Sequence, residues 1–164
     1  VNILHDGFIQ LPNNTFKGAG IAIPVFSLRT RSSYGIGEFT DIKSLADWAA
    51  NIKLKLIQLL PVNDTTATHS WTDSYPYAPI SVFALHPIYL NLAQMAGKQH
   101  QELIAQWQQQ QQALNSLPEI DYEAVLKAKW EAVNILYPAM KAEWLESKAY
   151  QTYYEANKHW LIPY

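Results

Sequence analysis

The chain has 164 residues, a net charge of −2 and no cysteine, with 49% hydrophobic and 16% charged residues. This composition is typical of a globular protein with one core of ordinary size, and it excludes a largely disordered chain. The lack of cysteine excludes disulfide bonds and zinc–thiolate sites, and the near-neutral charge provides no basic surface for nucleic acid.

The cellular compartment is inferred from what the sequence lacks. The first residues have neither the basic nor the apolar region of a signal peptide. No apolar run approaches the roughly 20 residues that span a bilayer. We therefore expect a cytoplasmic protein without membrane or nucleic-acid partners.

The first half of the chain has the pattern of a strand–helix–strand unit. Residues 20–26 and 56–62 are short apolar runs typical of buried strands, and Pro24 is expected at a strand end because it lacks an N–H group. Thr40 is a candidate helix N-cap. The apolar residues that follow it at helical spacing are Ile42, Leu45, Ala46, Ala49 and Ile52. This order predicts two parallel strands joined by a right-handed crossover.

The second half of the chain predicts helices. Residues 101–114 predict one helix, and Asp121 is the candidate cap of a second. Pro138 is expected to break or kink that second helix, before a further helical stretch over residues 139–157. Two parallel strands do not make a stable sheet by themselves, and no further strand of comparable quality follows. The chain is therefore interpreted as a fragment of a larger α/β enzyme.

The loop after the second apolar run carries the pattern that points to function. Residues 73–87 (DSYPYAPISVFALHP) combine aromatic rings with short polar side chains. Aromatic rings stack on the C–H faces of sugars, and short polar side chains bind sugar hydroxyl groups. The loop therefore fits a sugar site. The alternative is that Tyr75, Tyr77 and Phe83 only pack the loop against the core.

Other motifs give weaker indications. Residues 18–20 and 35–37 lack the third glycine of a dinucleotide fingerprint, and the five histidines lack metal-ligand spacing. Neither an organic cofactor nor a metal is therefore expected. Asp64 and Asp73 flank the loop as paired carboxylates of glycoside chemistry would, but loop aspartates also cap their own turns.

Four segments together resemble a known enzyme family. They are residues 18–29 (GAGIAIPVFSLR), 34–39 (YGIGEF), 58–64 (QLLPVND) and 73–77 (DSYPY). They resemble the first strand, the turn before the first helix, the second strand and the donor-site loop of the 4-α-glucanotransferases. This is the amylomaltase or disproportionating-enzyme group, family 77 of the glycoside hydrolases. The resemblance covers nearly the whole chain and is strongest over residues 18–92.

Within that family, the chain is most similar to the subgroup typified by the plant cytosolic disproportionating enzyme and its bacterial relatives. Tyr75 is an additional residue in the loop, and His86 stands where ordinary bacterial amylomaltases have asparagine. Residues 121–125 (DYEAV) and 160–164 (WLIPY) also resemble that subgroup.

The resemblance implies a fold and its boundaries. The implied fold is α/β, a (β/α)8 TIM barrel of which this chain holds the first two strands and the first helix, followed by a helical insertion. Residues 1–17 would be an N-terminal extension. Residues 18–97 would begin the catalytic barrel, with the donor-site loop at 63–87, and residues 98–164 would form a helical insertion subdomain truncated at its C-terminus.

The resemblance also implies a reaction. The family transfers α-1,4-glucan segments by a retaining mechanism in which an aspartate attacks the anomeric carbon and a glutamate protonates the departing sugar. Those carboxylates lie on later barrel strands, so no catalytic residue is assigned here and the isolated fragment is expected to be inactive. No cofactor is needed. The expected partners are a maltooligosaccharide or α-glucan and the remainder of the catalytic domain.

Four substrate-binding residues are expected in the loop. The resemblance implies that Tyr77 stacks on the sugar next to the scissile bond, that Ser74 binds sugar hydroxyl groups, and that Asp73 holds the loop. Trp71 is assigned to an acceptor site from its place in the loop alone. Two alternatives stay open, a non-catalytic glucan-binding module and a helical interaction domain. The latter would present three tryptophans to a partner: Trp107, Trp130 and Trp144.

Overall fold

The computed structural model describes residues 18–164, so the expectation for residues 1–17 lies outside the described residues. The sheet has two parallel strands, β1 (Gly20–Ile23) and β2 (Leu56–Leu59), and helix α1 (Asp41–Asn51) connects them. The predicted strand–helix–strand unit is therefore confirmed.

Both strands are shorter and more exposed than predicted. β1 ends before Pro24, which has no N–H group for the ladder, and the chain turns through a short 3-10 segment, Val25–Ser27. The prediction of buried strands is wrong for this chain, because every strand residue is exposed or half-buried and Leu56 is 60% exposed. The described part of the chain has no third strand beside the pair. Parallel strands are buried only when neighbouring strands and helices cover them.

Helix α1 begins where predicted but is anchored differently. Thr40 precedes it, yet the Thr40 side chain makes no capping hydrogen bond. Instead, Asp41 Oδ2 accepts hydrogen bonds from the Glu38 N–H at 2.8 Å and from the Ser33 hydroxyl at 3.1 Å. The helix start is thereby tied to the preceding turn. The fully buried members of the predicted apolar stripe are Leu45 and Ala49.

The second glycine motif has a backbone explanation. Gly35 has a φ of +78°, in the left-handed region that favours glycine. A side-chain carbon at Gly37 would collide with the carbonyl oxygen of Val25. Both glycines therefore allow the turn after β1 to pack closely, and the motif needs no bound nucleotide to explain it.

Five further helices make up the second half, and none of the helices in residues 18–164 is long and apolar enough to cross a membrane. They are α2 (Leu92–Ala96), α3 (Gln101–Ala105), α4 (Gln108–Ser116), α5 (Tyr122–Glu146) and α6 (Lys148–Leu161). The single helix predicted over residues 101–114 is wrong, because α3 and α4 separate at Trp107, whose side chain is buried. The glutamine-rich sequence offers no continuous apolar stripe that would hold one straight helix against the core.

Helix α5 is the longest element. Its predicted cap is confirmed, since the Asp121 carboxylate accepts a hydrogen bond from the Ala124 N–H at 3.0 Å. Of the two effects expected at Pro138, a break is wrong, because α5 continues through the proline, and a kink stays a prediction. Leu136 and Met140, on either side of the proline, are fully buried or nearly so. Their packing retains the helix although the proline removes one hydrogen bond.

A buried ion pair joins the two halves of the chain. Lys129 Nζ lies 2.6 Å from Glu38 Oε1, and it also donates to the carbonyl oxygens of Ile88 (2.6 Å) and Leu90 (2.7 Å). Asn91 donates to the other oxygen of Glu38. Burial raises the pKa of Glu38 and lowers the pKa of Lys129, and their ion pair opposes both shifts. The turn after β1 and helix α5 therefore share one core.

Candidate functional site

The predicted loop leaves the carboxyl end of β2 and is closed at its base. The Asp64 N–H donates to the Ala84 carbonyl at 2.9 Å, and the His86 N–H donates to the Val62 carbonyl at 2.9 Å. These bonds hold the two ends of the loop over residues 63–87 side by side. The carboxyl ends of parallel strands are where α/β enzymes place their binding sites.

Asp73 organises the interior of the loop. Its side chain is 6% exposed, and Oδ2 accepts hydrogen bonds from three successive backbone N–H groups, those of Ala67 (3.1 Å), Thr68 (2.8 Å) and His69 (2.7 Å). The Thr68 hydroxyl donates to Oδ1 at 2.9 Å. Burial alone would raise the pKa of Asp73, but these hydrogen bonds lower it below its usual range. The carboxylate is therefore engaged by the loop itself.

The aromatic residues of the loop face outward. Trp71, Tyr75 and Tyr77 are 68%, 60% and 55% exposed, and the rings of the two tyrosines lie 5.6 Å apart between centroids with a 50° tilt. The alternative that these tyrosines pack the loop against the core does not fit this exposure. Phe83 is also exposed, at 53%, but one face of its ring stacks on Trp160 of α6 at 5.4 Å and 17°.

A cavity of about 200 Å³ lies beside this loop. Two of the four predicted substrate-binding residues, Trp71 and Ser74, line it. Tyr77 lies outside its lining, and Asp73 is turned into the loop. The structure thus brings Trp71 and Ser74 to one cavity and leaves Tyr77 as a separate exposed ring on the same loop.

The sequence did not predict the polar wall of this cavity. His86 is 4% exposed, and its Nε2 lies 2.8 Å from the Tyr122 hydroxyl oxygen, while its Nδ1 accepts from the Ile88 N–H at 3.2 Å. With Nδ1 as an acceptor, the proton of the neutral ring lies on Nε2 and is donated to Tyr122. Burial lowers the pKa of His86, and nearby Asp64 opposes this shift. The only sequence signal came from the resemblance, in which His86 stands where ordinary bacterial amylomaltases have asparagine.

Helix α6 and Tyr164, which follows it, hold the loop from the side. The Tyr164 hydroxyl donates to Asp64 Oδ2, and the Thr66 N–H donates to Asp64 Oδ1 at 2.8 Å. Burial would raise the pKa of Asp64, but the hydrogen bonds from Thr66 and Tyr164 lower it. Together with the Phe83–Trp160 stack, this contact fixes the loop to the end of the chain.

Helix α5 supports the loop as well. The Trp71 N–H donates to Glu123 Oε1 at 2.8 Å, across 52 positions of sequence. The loop is therefore fixed at its base, in its interior and by two helices, while three aromatic rings remain accessible.

The two loop carboxylates do not form a catalytic pair in this arrangement. Asp64 and Asp73 are both buried, and each accepts hydrogen bonds from the loop, with Tyr164 as a further donor to Asp64. Within residues 18–164, no group of three or more histidine, aspartate or glutamate side chains is arranged to hold a metal ion. The geometry is suited to binding a ligand by stacking and hydrogen bonding.

Comparison with known proteins agrees with the resemblance seen in the sequence. A family model described as 4-alpha-glucanotransferase matches residues 23–164. The protein named 4-alpha-glucanotransferase DPE2 of Oryza sativa subsp. japonica is 38% identical over 162 residues, which cover 99% of this chain and 17% of the rice protein. The 4-alpha-glucanotransferases of Chlamydia caviae and Chlamydia pneumoniae are 38% and 34% identical over 146 residues, which cover 88% of this chain and 27% of each relative.

This chain spans less than a third of the length of these relatives. The family model nevertheless matches most of the chain, including the helix that connects the two strands, the loop and all the later helices. The chain belongs to the 4-alpha-glucanotransferase family.

Proposed function

We propose that this chain is the first part of the catalytic domain of a cytoplasmic 4-α-glucanotransferase that acts on maltose, maltodextrins, starch or glycogen. The enzyme transfers α-1,4-glucan segments between such glucans and keeps the anomeric configuration. Family membership supports the reaction class. The parallel strand pair with its connecting helix supports a (β/α)8 barrel as the complete fold.

The observation that carries the proposal is the accessible ring of Tyr77 on a loop that is fixed from several sides. Tyr77 is 55% exposed, and the loop that bears it is held by four hydrogen bonds to Asp73. Exposing an aromatic ring to water is normally unfavourable. An exposed ring on a loop that is held in place is therefore typical of a binding surface. Tyr77 stacks on the glucose unit next to the bond that is broken.

The neighbouring side chains have separate roles. Ser74, which lines the loop cavity, binds sugar hydroxyl groups, and Trp71, which is 68% exposed, lines the acceptor site. Asp73 positions the loop and does not contact the sugar directly, because its carboxylate is already bonded to the loop backbone. Fixed contacts of this kind orient the sugar as its ring flattens toward the transition state.

The catalytic carboxylates are contributed by parts of the longer protein that follow this chain. An aspartate oxygen bonds to the anomeric carbon as the glycosidic C–O bond breaks, and the departing oxygen takes a proton from a glutamic acid. The acceptor hydroxyl then attacks the anomeric carbon, gives its proton to the glutamate and releases the aspartate. The exposed faces of β1 and β2 are where the remaining barrel packs.

The experiment is a titration with maltoheptaose, followed by tryptophan fluorescence and by NMR. Tyr77→Ala is expected to weaken binding at the loop by roughly tenfold, since stacking on an aromatic ring contributes about 1 kcal/mol or more. Tyr77→Phe retains the ring and should bind like the wild type. The matched control is Tyr153→Ala, which removes a tyrosine of α6 with a similar exposure of 50%. Equal affinity of the Tyr77→Ala variant and the wild type would refute the role of this ring.

Incubation with maltotriose tests the reaction. The chain alone should give no longer glucans, whereas the longer protein should produce them. Submicromolar binding by the chain alone, without turnover by the longer protein, would favour the non-catalytic glucan-binding module instead.

A further inference from the structure

A second cavity lies on a different part of the molecule. It has a volume of about 330 Å³ and lies between the turn after β1 and helices α2 to α4. Its lining shares no residue with the cavity beside the loop. Cavities that bind small ligands typically have volumes of about 300–1,000 Å³, so this one is large enough for a small ligand.

Apart from Glu38, the polar side chains of this cavity are neutral amides and hydroxyls. They belong to Ser32, Tyr34, Asn91, Gln101, Gln108 and Gln111. Two of the amides are held in place by the backbone, because Gln101 Nε2 donates to the Ala93 carbonyl at 2.9 Å and Gln111 Nε2 donates to the Ser32 carbonyl at 2.6 Å. Neither Oε1 is hydrogen-bonded to another residue of 18–164. Fixed amide oxygens are suitable acceptors for ligand hydroxyl groups.

The charge of the cavity restricts the ligand class. Glu38 is the one charged side chain in the described lining, and Lys129 neutralises it at 2.6 Å. A phosphate or carboxylate ligand would find no cationic partner in this lining, and a cation would find no unpaired carboxylate. The ligand is therefore neutral.

The remaining lining is apolar and aromatic. Leu92 and Ile104 contribute aliphatic surface, and Trp107 contributes an indole ring. A ligand that both hydrogen-bonds the amides and packs against the apolar part of the lining must carry several hydroxyl groups around an apolar C–H face. Sugar rings have this combination.

We propose that this cavity is a second carbohydrate site, which holds one end or one turn of a neutral oligosaccharide apart from the loop site. The cavity chemistry supports a sugar in general, and the choice of an α-glucan rests on the proposed function. A site here would retain a glucan chain by contacts remote from the bond that is broken.

The test is residue-resolved NMR of the chain titrated with maltoheptaose up to 20 mM. We expect saturable shifts of the side-chain amide signals of Gln101, Gln108 and Gln111. Ala105→Trp places a large ring in the cavity lining and should abolish these shifts. The matched control is Ala113→Trp, which adds the same ring at an exposed helical position outside the lining and should retain them.

A milder variant keeps the test valid if Ala105→Trp unfolds the chain. Gln108 is exposed and makes no side-chain hydrogen bond to another residue of 18–164, so Gln108→Ala should fold normally. It should weaken binding at this cavity by about two- to tenfold, the effect of one lost hydrogen bond. Unchanged affinity in Gln108→Ala, together with unshifted amides in the wild type, would overturn the proposal.

The two proposed sites can be tested independently of each other. Tyr77→Ala should leave the shifts at the second cavity unchanged, because Tyr77 lines neither cavity. Shifts at the glutamine amides without any at the loop would support the second site and contradict the loop role of Tyr77. Shifts at the loop alone, or nuclear Overhauser contacts that place residues 1–17 inside the cavity, would overturn the second site.

Discussion

The base and the rim of the loop differ in how they use their side chains. The base, by which we now mean the residues that hold both the ends and the interior of the loop (Asp64, Asp73 and His86), is buried and hydrogen-bonded. The rim, formed by Trp71 and Tyr77, is more than half exposed. The difference teaches that buried polar bonds set the shape of the loop, while the aromatic rings remain accessible for a ligand. Changes at the base should therefore affect stability and binding together, and changes at the rim should affect binding alone.

The largest effect is expected at the buried ion pair that holds the backbone after the loop. Lys129→Met leaves Glu38 buried without its partner and should lower the free energy of unfolding by about 3–5 kcal/mol. Urea unfolding measures this. The matched control is Lys127→Met, an exposed lysine of the same helix, which should change stability by less than about 0.5 kcal/mol. If the double variant Glu38→Leu, Lys129→Met is no more stable than Lys129→Met alone, the unpaired Glu38 is not the cause of the lost stability.

The next effect is expected at the centre of the base. Asp73→Asn keeps the shape of the side chain but loses the charge that three backbone N–H groups and one hydroxyl contact. Because hydrogen bonds to charged groups contribute about 1.5–3 kcal/mol, we expect a loss of about 2 kcal/mol and weaker maltoheptaose binding. The exposed Asp47→Asn serves as the control. Lost stability with unchanged binding would mean that the base does not position the rim.

A smaller effect is expected where α6 contacts the loop. Phe83 and Trp160 stack at 5.4 Å, and such aromatic pairs couple by about 0.5–1.5 kcal/mol. A double-mutant cycle of Phe83→Ala and Trp160→Ala measures this coupling by urea unfolding. The same cycle on Tyr150 and Tyr154, a stack within α6, should leave ligand binding unchanged. A coupling of zero would show that the Phe83–Trp160 stack does not hold the loop.

The smallest effect is a pH dependence at the cavity wall. The folded-state pKa of His86 is lowered by burial, so the unfolded chain takes up a proton near its ordinary pKa of about 6.5 while the folded chain does not. Stability should therefore fall as the pH drops below about 6.5, and His86→Asn should remove this step. Asp64 and Asp73, whose folded-state pKa values are lowered, add stability above about pH 4 that is lost on further acidification. Urea unfolding between pH 3 and 8 checks both steps.

The parts of the fold that depend on local sequence were predictable. The strand–helix–strand unit follows from two apolar runs around an amphipathic stripe, and the cap at Asp121 follows from its own residue type. The break at Trp107 and the continuity through Pro138 depend on which side chains the core accepts, so local sequence rules did not predict either of them. Tertiary packing overrides helix-breaking tendencies when residues on both sides are buried.

For the candidate site, the sequence indicated the loop but not the residues that hold it in place, and its role in binding stays a prediction. The loop was singled out by its combination of aromatic and short polar residues, and its tyrosines and Trp71 are more than half exposed. The residues that hold this region could not be predicted, because the contacts join distant positions. Asp64 contacts Tyr164 across 100 positions, and Glu38 contacts Lys129 across 91. Contacts of this range leave no periodicity in the sequence, and a single sequence gives no signal for which charged residues pair.

The contact between Tyr164 and Asp64 has a consequence for how the molecule acquires its final form. Bringing together two residues 100 positions apart lowers the entropy of the chain. This cost is offset only when the helices between them dock on the core. The loop with its exposed aromatic rings should therefore be among the last parts to become ordered during refolding, after β1 pairs with β2. Hydrogen-exchange labelling during refolding should find the amides of Thr68 and His69 protected later than those of α5.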